Sequence, residues 1–494
     1  MKHVTTPAAM KFWMEGALAL ADVEHQGVRI DKTYLEGAIT STTKEINDAE
    51  AALRSDKDFK LWRRRFGEKT KPGSYDQLAA VVFRDLGVPS KKRTASGDRE
   101  SAAAAAFEGL DIPLVKHFLT AAKLKKARDA YLVGIQREMV QHDDGLWYVH
   151  CSYNLNSVIT FRSSCSNTNY QNNPKRNPKM METVRKCYIS RPGYRQGELD
   201  YGQIEVRIPC PYTFDPVLMA YVCDPTKDMH RDMAVQIFKL KPNQVSKALR
   251  NLVKADYVFA TFYGSYYGLT APALWEGVDN GNLTLEGSEK TVRQHLTDIG
   301  FTELGTIDDE KPEAGTWAAH VRGIDEDFWG KRFKVYAQWK RDWYEAYCRD
   351  GGFTMLTGFA VHAPLDKKQV CNSPVQGVAF HCLLWSLTKL VNRLRKYKMQ
   401  SKVIGEVHDS INLDIHPAEL DDVFDMATSI MTEEIKVWAP WLNVPLVCEC
   451  ESSPTDGSWF DVMGMAKRDG GYVPADPAKW QKRFGAWDGQ LVTA

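Results

Sequence analysis

Apolar residues recur at helical spacing along most of the first 145 residues of the chain. Residues 8–55 predict two helices that are separated near Gly27, with Asp31 positioned to cap the second one. Residues 73–87 predict a capped amphipathic helix, and residues 113–141 predict a long helix with several lysines. The beginning of the chain is therefore predicted to be mainly helical.

The pattern then changes to alternation, which is typical of strands. The later predicted elements are, in chain order, a strand over 147–153, a strand over 197–201, helix over 228–264, an irregular surface insertion at about 272–320, a helix over 327–349 and a strand-helix-strand succession over 354–415. Helices beside a sheet whose strand ends carry acids indicate an α+β fold.

Composition describes an ordinary soluble protein of about two to four subdomains. The chain has 494 residues, 44% hydrophobic and 26% charged, with a net charge of +1. No overall basic excess indicates a nucleic-acid partner. The ten cysteines form no C-x-x-C pair, which argues against zinc and favours free thiols in a reducing cytoplasm. No apolar run is long enough for a membrane span, so we expect no membrane association.

Two short blocks of carboxylates, residues 198–207 and 403–413, carry the strongest chemical signal. Asp200 follows a short apolar strand, and Asp409 is predicted to lie within a single alternating strand over 403–415, on the face opposite His408. Either aspartate alone is more simply explained as a strand-end or turn residue. Together, two such carboxylates can hold two Mg²⁺ ions roughly 4 Å apart.

A predicted helix between the blocks offers cations and aromatic rings. Arg250 and Lys254 are four residues apart, and so are Phe259 and Tyr263. Such a face can hold a triphosphate at one end and stack a base at the other, although a solvated surface stripe is the simpler alternative. His230 is a further candidate for a phosphate contact, but a lone helical histidine is more often structural.

The block 200–207 resembles motif A of the family A DNA polymerases, the bacterial polymerase I type. Residues 250–264 resemble motif B, and residues 407–409 resemble motif C. Further blocks are similar to segments of the same family in the same order: 20–35, 73–135, 160–164, 167–174 and 372–377. The resemblance therefore covers nearly the whole chain.

The resemblance implies a right-hand polymerase fold with an antiparallel palm sheet and mainly helical thumb and fingers. The implied divisions are a segment entering the palm (1–40), the thumb (41–145), the palm with motif A (146–225), the fingers with motif B and the insertion at about 272–320 (226–355), and the palm with motif C and the C-terminal tail (356–494).

The resemblance also implies roles for individual residues. Asp200, Asp409 and the Tyr201 carbonyl would bind the metal, and Lys254 would also act as a general acid. The implied nucleotide-binding residues are Gln203, Glu205, His230, Arg250, Lys254, Phe259 and Tyr263, with Glu205 as a steric gate that excludes ribose. The implied primer-template contacts are Arg162, Asn172, Asn372, Gln376 and His408.

The implied function is addition of dNTPs to a primer 3′ end by two-metal phosphoryl transfer, with two Mg²⁺ ions or Mn²⁺ in their place. Primer-template DNA and dNTPs are the expected partners. Because few residues precede the block 20–35, we expect no proofreading domain and a separate exonuclease or processivity factor as a further partner. Spacing similar to that of phage-type members suggests a viral origin and action in the host cytoplasm.

The sequence departs from the family pattern in motifs A and C and before Arg162. Gly202 stands where serine is usual, Phe161 replaces a glycine, and Ser410 stands where a glutamate is common. The last change removes the second acid of motif C.

Motif B contains one extra residue between Lys254 and Phe259. An insertion turns later residues by about 100° on a regular helix, so we expect a π-bulge to absorb it. Val258 keeps the usual interval from Lys254, whereas Phe259 keeps the interval to Tyr263. We favour Phe259 as the nucleotide contact.

Two other functions are weighed against a DNA polymerase. A single-subunit RNA polymerase would share the carboxylates and the cationic helix, but Glu205 argues against it. A catalytically inactive nucleic-acid-binding scaffold would be expected to lose Asp200, Asp409 or Lys254, and all three are present.

Overall fold

The computed structural model describes residues 3–90, 102–107, 110–174, 177–307, 312–487 and 489. Its strands are β1 (Val28–Ile30), β2 (Val140–Gln141), β3 (Trp147–Val149), β4 (Ser152–Asn154), β5 (Ser164–Ser166), β6 (Tyr188–Ile189), β7 (Arg195–Tyr201), β8 (Phe353–Thr354), β9 (Ala360–Val361), β10 (Lys402–Val407), β11 (Ser410–Ile415), β12 (Cys448–Ser452), β13 (Met463–Arg468) and β14 (Gly471–Pro474).

The helices of the described residues are α1 (Pro7–Gln26), α2 (Lys32–Ser55), α3 (Phe59–Phe66), α4 (Tyr75–Ala79), α5 (Pro113–Lys126), α6 (Val133–Glu138), α7 (Pro178–Arg185), α8 (Ile204–Arg207), α9 (Pro209–Thr213), α10 (Pro216–Cys223), α11 (Met229–Phe238), α12 (Lys247–Val253), α13 (Ala260–Phe262), α14 (Tyr267–Asn280), α15 (Val292–Asp298), α16 (Trp317–Asp327), α17 (Lys334–Asp350), α18 (Lys367–Lys396), α19 (Leu420–Ser429), α20 (Ile435–Trp438) and α21 (Pro477–Phe484). None of these helices combines the length and apolar character needed to cross a membrane.

A six-stranded antiparallel sheet forms the centre, in the order β10-β11-β7-β12-β13-β14. Side chains alternate across β7, so Leu199 and Tyr201 face one side and Glu198 and Asp200 face the other. The apolar side belongs to the largest buried cluster, which also includes side chains of α1 and the long helix α18. The other side of the sheet carries the carboxylates of β7, with Asp200 near the end of the strand.

Separate apolar clusters stabilise the helical parts on either side of this sheet. Residues of α2 to α5 enclose Trp62 and Phe118, while residues of α10 to α17 enclose Phe238 and Trp317. A four-stranded sheet, in the order β2-β3-β1-β6, has its own cluster, which reaches Val407 at the end of β10. The α+β prediction is confirmed.

The predicted break near Gly27 is confirmed. Helix α1 ends at Gln26, strand β1 follows, and the Asp31 carboxylate accepts a hydrogen bond from the Tyr34 N–H at the start of α2. Gly27 has a φ of 66°, and a Cβ there would lie 2.8 Å from the His150 ring, so glycine is required at this turn.

Two segments differ from the sequence-based description. The predicted strand over 147–153 is interrupted, because β3 and β4 join different sheets. The stretch 272–320, predicted as an irregular insertion, contains most of α14 and all of α15, and its Leu274 and Leu296 are fully buried in the cluster of the α10 to α17 helices. Residues 308–311 within this stretch lie outside the described residues. So do residues 91–101, which belong to the stretch from Ser90 to Ser101 whose polar and basic sequence predicts a loop.

Candidate active site

Asp200 and Asp409 lie at the same end of the six-stranded sheet. Asp200 is the penultimate residue of β7, and Asp409 lies in the turn between β10 and β11, the neighbouring hairpin. The Tyr201 N–H donates to the Asp409 carbonyl at 3.1 Å, which ties the end of β7 to this turn. Both aspartates are half-buried. The structure thus brings together the two carboxylates that lie about two hundred residues apart in the sequence.

The turn corrects the prediction of one continuous strand over 403–415. Two strands, β10 and β11, pair through Val407 and Ser410, and His408 and Asp409 form the two-residue connection. His408 has a φ of 64°, the left-handed conformation that tight hairpin turns require. The assignment of His408 and Asp409 to opposite faces of a strand was therefore wrong, because both residues lie in the turn.

Strand pairing adds a carboxylate that sequence reasoning missed. Asp200 lies opposite Ser410 on one side and opposite Glu449 of β12 on the other. Residues directly opposite each other share a face of the sheet. Glu449 is therefore next to Asp200, whereas Ser410 leaves no acid at its own position. The only signal in the sequence was the alternation of Cys448, Glu449 and Cys450.

The oxygen atoms at this end of the sheet fit a hard cation such as Mg²⁺, which binds through one or two carboxylates plus phosphates and water. The Tyr201 side chain is anchored on the apolar side of the sheet, where its hydroxyl lies 2.8 Å from Ser386 Oγ. Among the described residues, no group of three or more His, Cys, Asp or Glu side chains forms a closed metal site. Two aspartates and a backbone carbonyl are an open donor set that leaves positions for a substrate.

Motif B contains the expected π-helical irregularity. The chain leaves α12 at Lys254, passes through a π-helical turn over Lys254–Phe259 and continues as α13. Val258 is fully buried in the cluster of the α10 to α17 helices, whereas the Phe259 ring lies 5.4 Å from Lys254 Nζ. The extra residue is thus absorbed so that Phe259 shares a surface with Lys254.

His230 packs beside the cationic surface of motif B, which is formed by Arg250, Lys254 and Phe259. Its ring is buried, packs edge-on against Phe259 at 5.5 Å, and has no hydrogen-bond partner on either nitrogen among the described residues. Burial, assisted by the nearby Arg250 and Lys254, lowers the pKa of His230 to about 4. The imidazole is therefore neutral at pH 7 and retains its hydrogen-bonding capacity.

Arg250 is held by a residue that sequence reasoning did not single out. Its Nε donates to Asp228 Oδ2 at 2.5 Å, and the same carboxylate caps α11 through the His230 and Arg231 N–H groups. Burial acts to raise the pKa of Asp228, but the Arg250 guanidinium and the N–H donors hold it below its usual range. Asp228 therefore orients Arg250 and fixes the start of the helix that carries His230.

A cavity of about 480 Å³ has Arg250 in its lining and adjoins the chain that follows β7. Gln203, two residues after the end of β7 and with a φ of 55°, also lines it, together with Lys227. The lining mixes these polar side chains with apolar ones such as Val206 and Val222, and the volume is large enough for a polyphosphate.

Arg162 and Glu205, predicted to contact DNA and nucleotide respectively, form an ion pair with each other. Arg162 Nε also donates to the Gln376 carbonyl of α18 at 3.3 Å. This approach requires Gly377, because a Cβ there would collide with the Thr160 carbonyl oxygen. Phe161 adopts a left-handed φ of 53°, so the backbone keeps a glycine-type conformation although the glycine is absent.

Two of the remaining predicted residues, Asn372 and Asn172, have different environments. Asn372 Nδ2 donates to the Tyr263 carbonyl at 3.1 Å, which links α18 to the end of motif B. Asn172 is exposed, and its backbone N–H is held by the Asn169 side chain. The structure gives no contact between the Asn172 side chain and the other predicted residues.

The family model for DNA polymerase family A matches residues 42–280 and 360–458 of this chain. This match includes all three motif blocks and more than half of the chain. The chain therefore belongs to DNA polymerase family A.

Individual relatives agree with this assignment. The chain is 27% identical over 436 residues to the thermostable DNA polymerase I of Thermus filiformis, covering 87% of this chain and 46% of that protein. It is 23% identical over 452 residues to DNA polymerase I of Chloroflexus aurantiacus, covering 90% of this chain and 42% of that protein. The chain thus spans about half the length of the curated relatives it matches.

A solved structure supports the fold. The POL domain of Pol1 from M. smegmatis, in complex with DNA primer-template and dNTP, superimposes with a TM-score of 0.68 at 20% identity, covering 91% of this chain and 70% of that one. The right-hand fold with an antiparallel palm sheet, predicted from the resemblance, is confirmed.

Proposed function

We propose that this chain is a template-directed DNA polymerase that adds dNTPs to the 3′ end of a primer. The observation that carries the proposal is the meeting of Asp200 and Asp409 at one end of the sheet, in a member of DNA polymerase family A. Extension of a labelled primer in the presence of Mg²⁺ and dNTPs tests it directly.

In this proposal Asp200, Asp409 and the Tyr201 carbonyl hold two Mg²⁺ ions, or Mn²⁺ in their place. The metal, when bound, lowers the pKa of the primer 3′ hydroxyl and stabilises negative charge on the α-phosphate. The contribution of the chain is to fix these oxygens at the junction of β7 and the β10–β11 turn. Glu449, next to Asp200 in the sheet, adds negative charge that favours cation binding.

The triphosphate is proposed to lie on the cationic surface of motif B. Arg250 keeps its terminal nitrogens for phosphate while Asp228 holds its Nε. Lys254 contacts the phosphates as an ammonium, and His230 offers an uncharged ring nitrogen to an oxygen. Gln203, which lines the same cavity as Arg250, positions the nucleotide.

The reaction forms a bond between the primer 3′ oxygen and the α-phosphorus and breaks the bond from that phosphorus to the bridging oxygen of the β-phosphate. The 3′ hydroxyl passes its proton to solvent, and Lys254 donates a proton to the leaving pyrophosphate and regains one from solvent. Phe259 packs on the incoming base and Tyr263 on the template base. The primer-template is contacted by Arg162, Asn172, Asn372, Gln376 and His408. Among these, Arg162 and Gln376 read minor-groove acceptors that all correct base pairs share, and so respond to the shape of the pair.

The divisions predicted from the sequence remain part of this proposal. Residues 41–145 serve as the thumb, 226–355 as the fingers, and the sheet region as the palm, with 1–40 entering it. The segment 272–320 lies within the fingers and supports motif B through buried contacts such as Leu252 with the α14 backbone near Gly277.

Glu205→Ala is expected to admit ribonucleotides. Removal of the carboxyl leaves space at the sugar C2′ for a ribose hydroxyl. The clash between that hydroxyl and the wild-type carboxyl corresponds to about 10- to 200-fold in discrimination against NTPs. The measurement is the ratio of kcat/KM for dNTP and for the matching NTP. Glu205→Gln is the control, since it keeps the volume while losing the charge paired with Arg162. Unchanged sugar selectivity in the alanine variant would remove Glu205 from this role.

We also propose that the chain acts in DNA replication in the cytoplasm, that of a host cell if the chain is viral, together with a separate exonuclease or processivity factor. All ten cysteines are free thiols, as a reducing compartment favours. The chain is expected not to shorten a primer with a mismatched 3′ end when nucleotides are withheld. Shortening of that primer would contradict the absence of proofreading.

A further inference from the structure

A buried carboxylate joins three parts of the palm that the proposed mechanism uses. Glu406, on β10, is completely buried. Its Oε1 accepts hydrogen bonds from the Ser163 hydroxyl and, at 2.6 Å, from Gln171 Nε2. Its Oε2 accepts from the His408 N–H at 3.1 Å.

These donors belong to different pieces of chain. Ser163 and Gln171 belong to residues 160–174, here called the reading segment, which carries Arg162 and Asn172. His408 belongs to the turn that contains Asp409. Gln171 Nε2 also lies 2.7 Å from Ser163 Oγ, so the two ends of the reading segment are tied together at the same carboxylate.

We propose that Glu406 is a positioning residue that fixes the reading segment, and with it the primer-template contacts, to the turn that carries Asp409. The inference rests on the proposed polymerase function. It assigns no contact between Glu406 and substrate, because the side chain is enclosed by protein on all sides.

The ionised form of Glu406 accepts all three of these hydrogen bonds. A neutral carboxyl group keeps both N–H donors satisfied only if its proton lies on Oε1 and the Ser163 hydroxyl reverses to accept that proton. If the proton lies on Oε2, the His408 N–H loses its acceptor. Protonation is therefore expected to loosen the connection between the reading segment and the turn.

Burial raises the pKa of Glu406 to about 7, although the Ser163, Gln171 and His408 donors and the charge of Arg162 act to lower it. The titratable and charged groups around Glu406 are Arg162 and Cys165 of the reading segment, Cys151, Tyr153, whose hydroxyl accepts the Glu406 N–H at 3.1 Å, and His408. Protonated Glu406 is thus populated as the pH falls below about 7, which makes its role measurable in solution.

The test compares the wild-type chain with Glu406→Gln, which has nearly the same shape but is permanently neutral. The KM for primer-template and kcat are measured from pH 5.5 to pH 8.5 at constant ionic strength with a single correct dNTP. We expect the wild-type KM to rise about three- to tenfold as the pH falls through 7, the effect of one lost hydrogen bond. Glu406→Gln is expected to show the higher KM at all pH values, with little change in kcat.

Glu451→Gln is the matched control. Glu451 is another largely buried acid whose pKa is raised to about 7, by burial and by Glu198 and Glu449, but it lies on β12 away from the reading segment. It should keep the wild-type dependence on pH. A wild-type KM curve alone does not identify the group that titrates. The inference is therefore judged by the difference between the KM curves of the wild type and Glu406→Gln.

Ser163→Ala provides an independent variant that keeps the acid and removes one donor. It is expected to move the midpoint of the KM curve to higher pH, because the ionised form loses a hydrogen bond. Identical KM curves for wild type and Glu406→Gln, or an unmoved midpoint in a folded Ser163→Ala, would overturn the inference. Failure of the wild type to extend a primer at any pH would instead count against the proposed polymerase function.

Discussion

Asp409→Asn and Asp200→Asn are each expected to lower the rate of primer extension by about 10³-fold or more. Such a factor corresponds to about 4 kcal/mol of transition-state stabilisation, within the several kcal/mol that a bound metal supplies. An asparagine keeps the size of the side chain but removes the charge that holds a cation. The measurement is kcat under single-turnover conditions, together with the Kd for primer-template.

The local structure allows the charge of Asp409 to be removed without loss of the link between β7 and the turn. The Asp409 carbonyl, rather than its side chain, accepts the Tyr201 N–H, so the link between β7 and the turn persists in Asp409→Asn. Primer-template affinity should accordingly stay within about threefold of the wild type. Asp425→Asn, which changes an exposed acid paired with Lys467, is the control and should extend normally. Near-normal extension by either active-site variant would sink the assignment of the metal-binding carboxylates.

Lys254→Gln is expected to reduce kcat by about 10²- to 10³-fold and to raise the KM for dNTP. Loss of one preorganised group that stabilises developing charge has an effect of this size. The control is Lys334→Gln, which removes an exposed ammonium from the first turn of α17 and should leave both parameters unchanged.

Lys254→Arg separates the two roles proposed for Lys254. Arginine keeps the positive charge for the phosphates but does not release a proton at ordinary pH. We expect this variant to recover most of the dNTP affinity while kcat remains low. Full recovery of kcat would show that Lys254 acts through its charge alone and would remove the general-acid role.

Patterns of residues close together in the sequence predict much of the fold. Asp31 caps α2 as its position before a helical pattern predicts, and the extra residue in motif B produces a π-helical turn because the rest of the helix keeps its packing. The burial of Val258 and the exposure of Phe259 toward Lys254 then follow from that turn. These features depend on residues close together in the sequence, where spacing carries the information.

Features that depend on distant pairing could not be read in this way. The hairpin turn at His408 and Asp409 contains no glycine or asparagine, so the alternating pattern over 403–415 predicts one continuous strand. Glu449 lies beside Asp200 only because β12 pairs with β7, and Glu406 meets Gln171 across 235 residues of chain. In the segment 272–320, glycines and aspartates at the surface hid the apolar residues that α14 and α15 bury.

The most direct test of the central claim is extension of a labelled primer-template by the purified chain with Mg²⁺ and either dNTPs or NTPs. The account predicts template-directed extension with dNTPs, little or none with NTPs, and loss of extension in Asp409→Asn. Efficient extension with NTPs would identify an RNA-synthesising enzyme instead. No extension with either substrate, by a chain that still binds primer-template, would contradict the account and indicate an inactive nucleic-acid-binding protein.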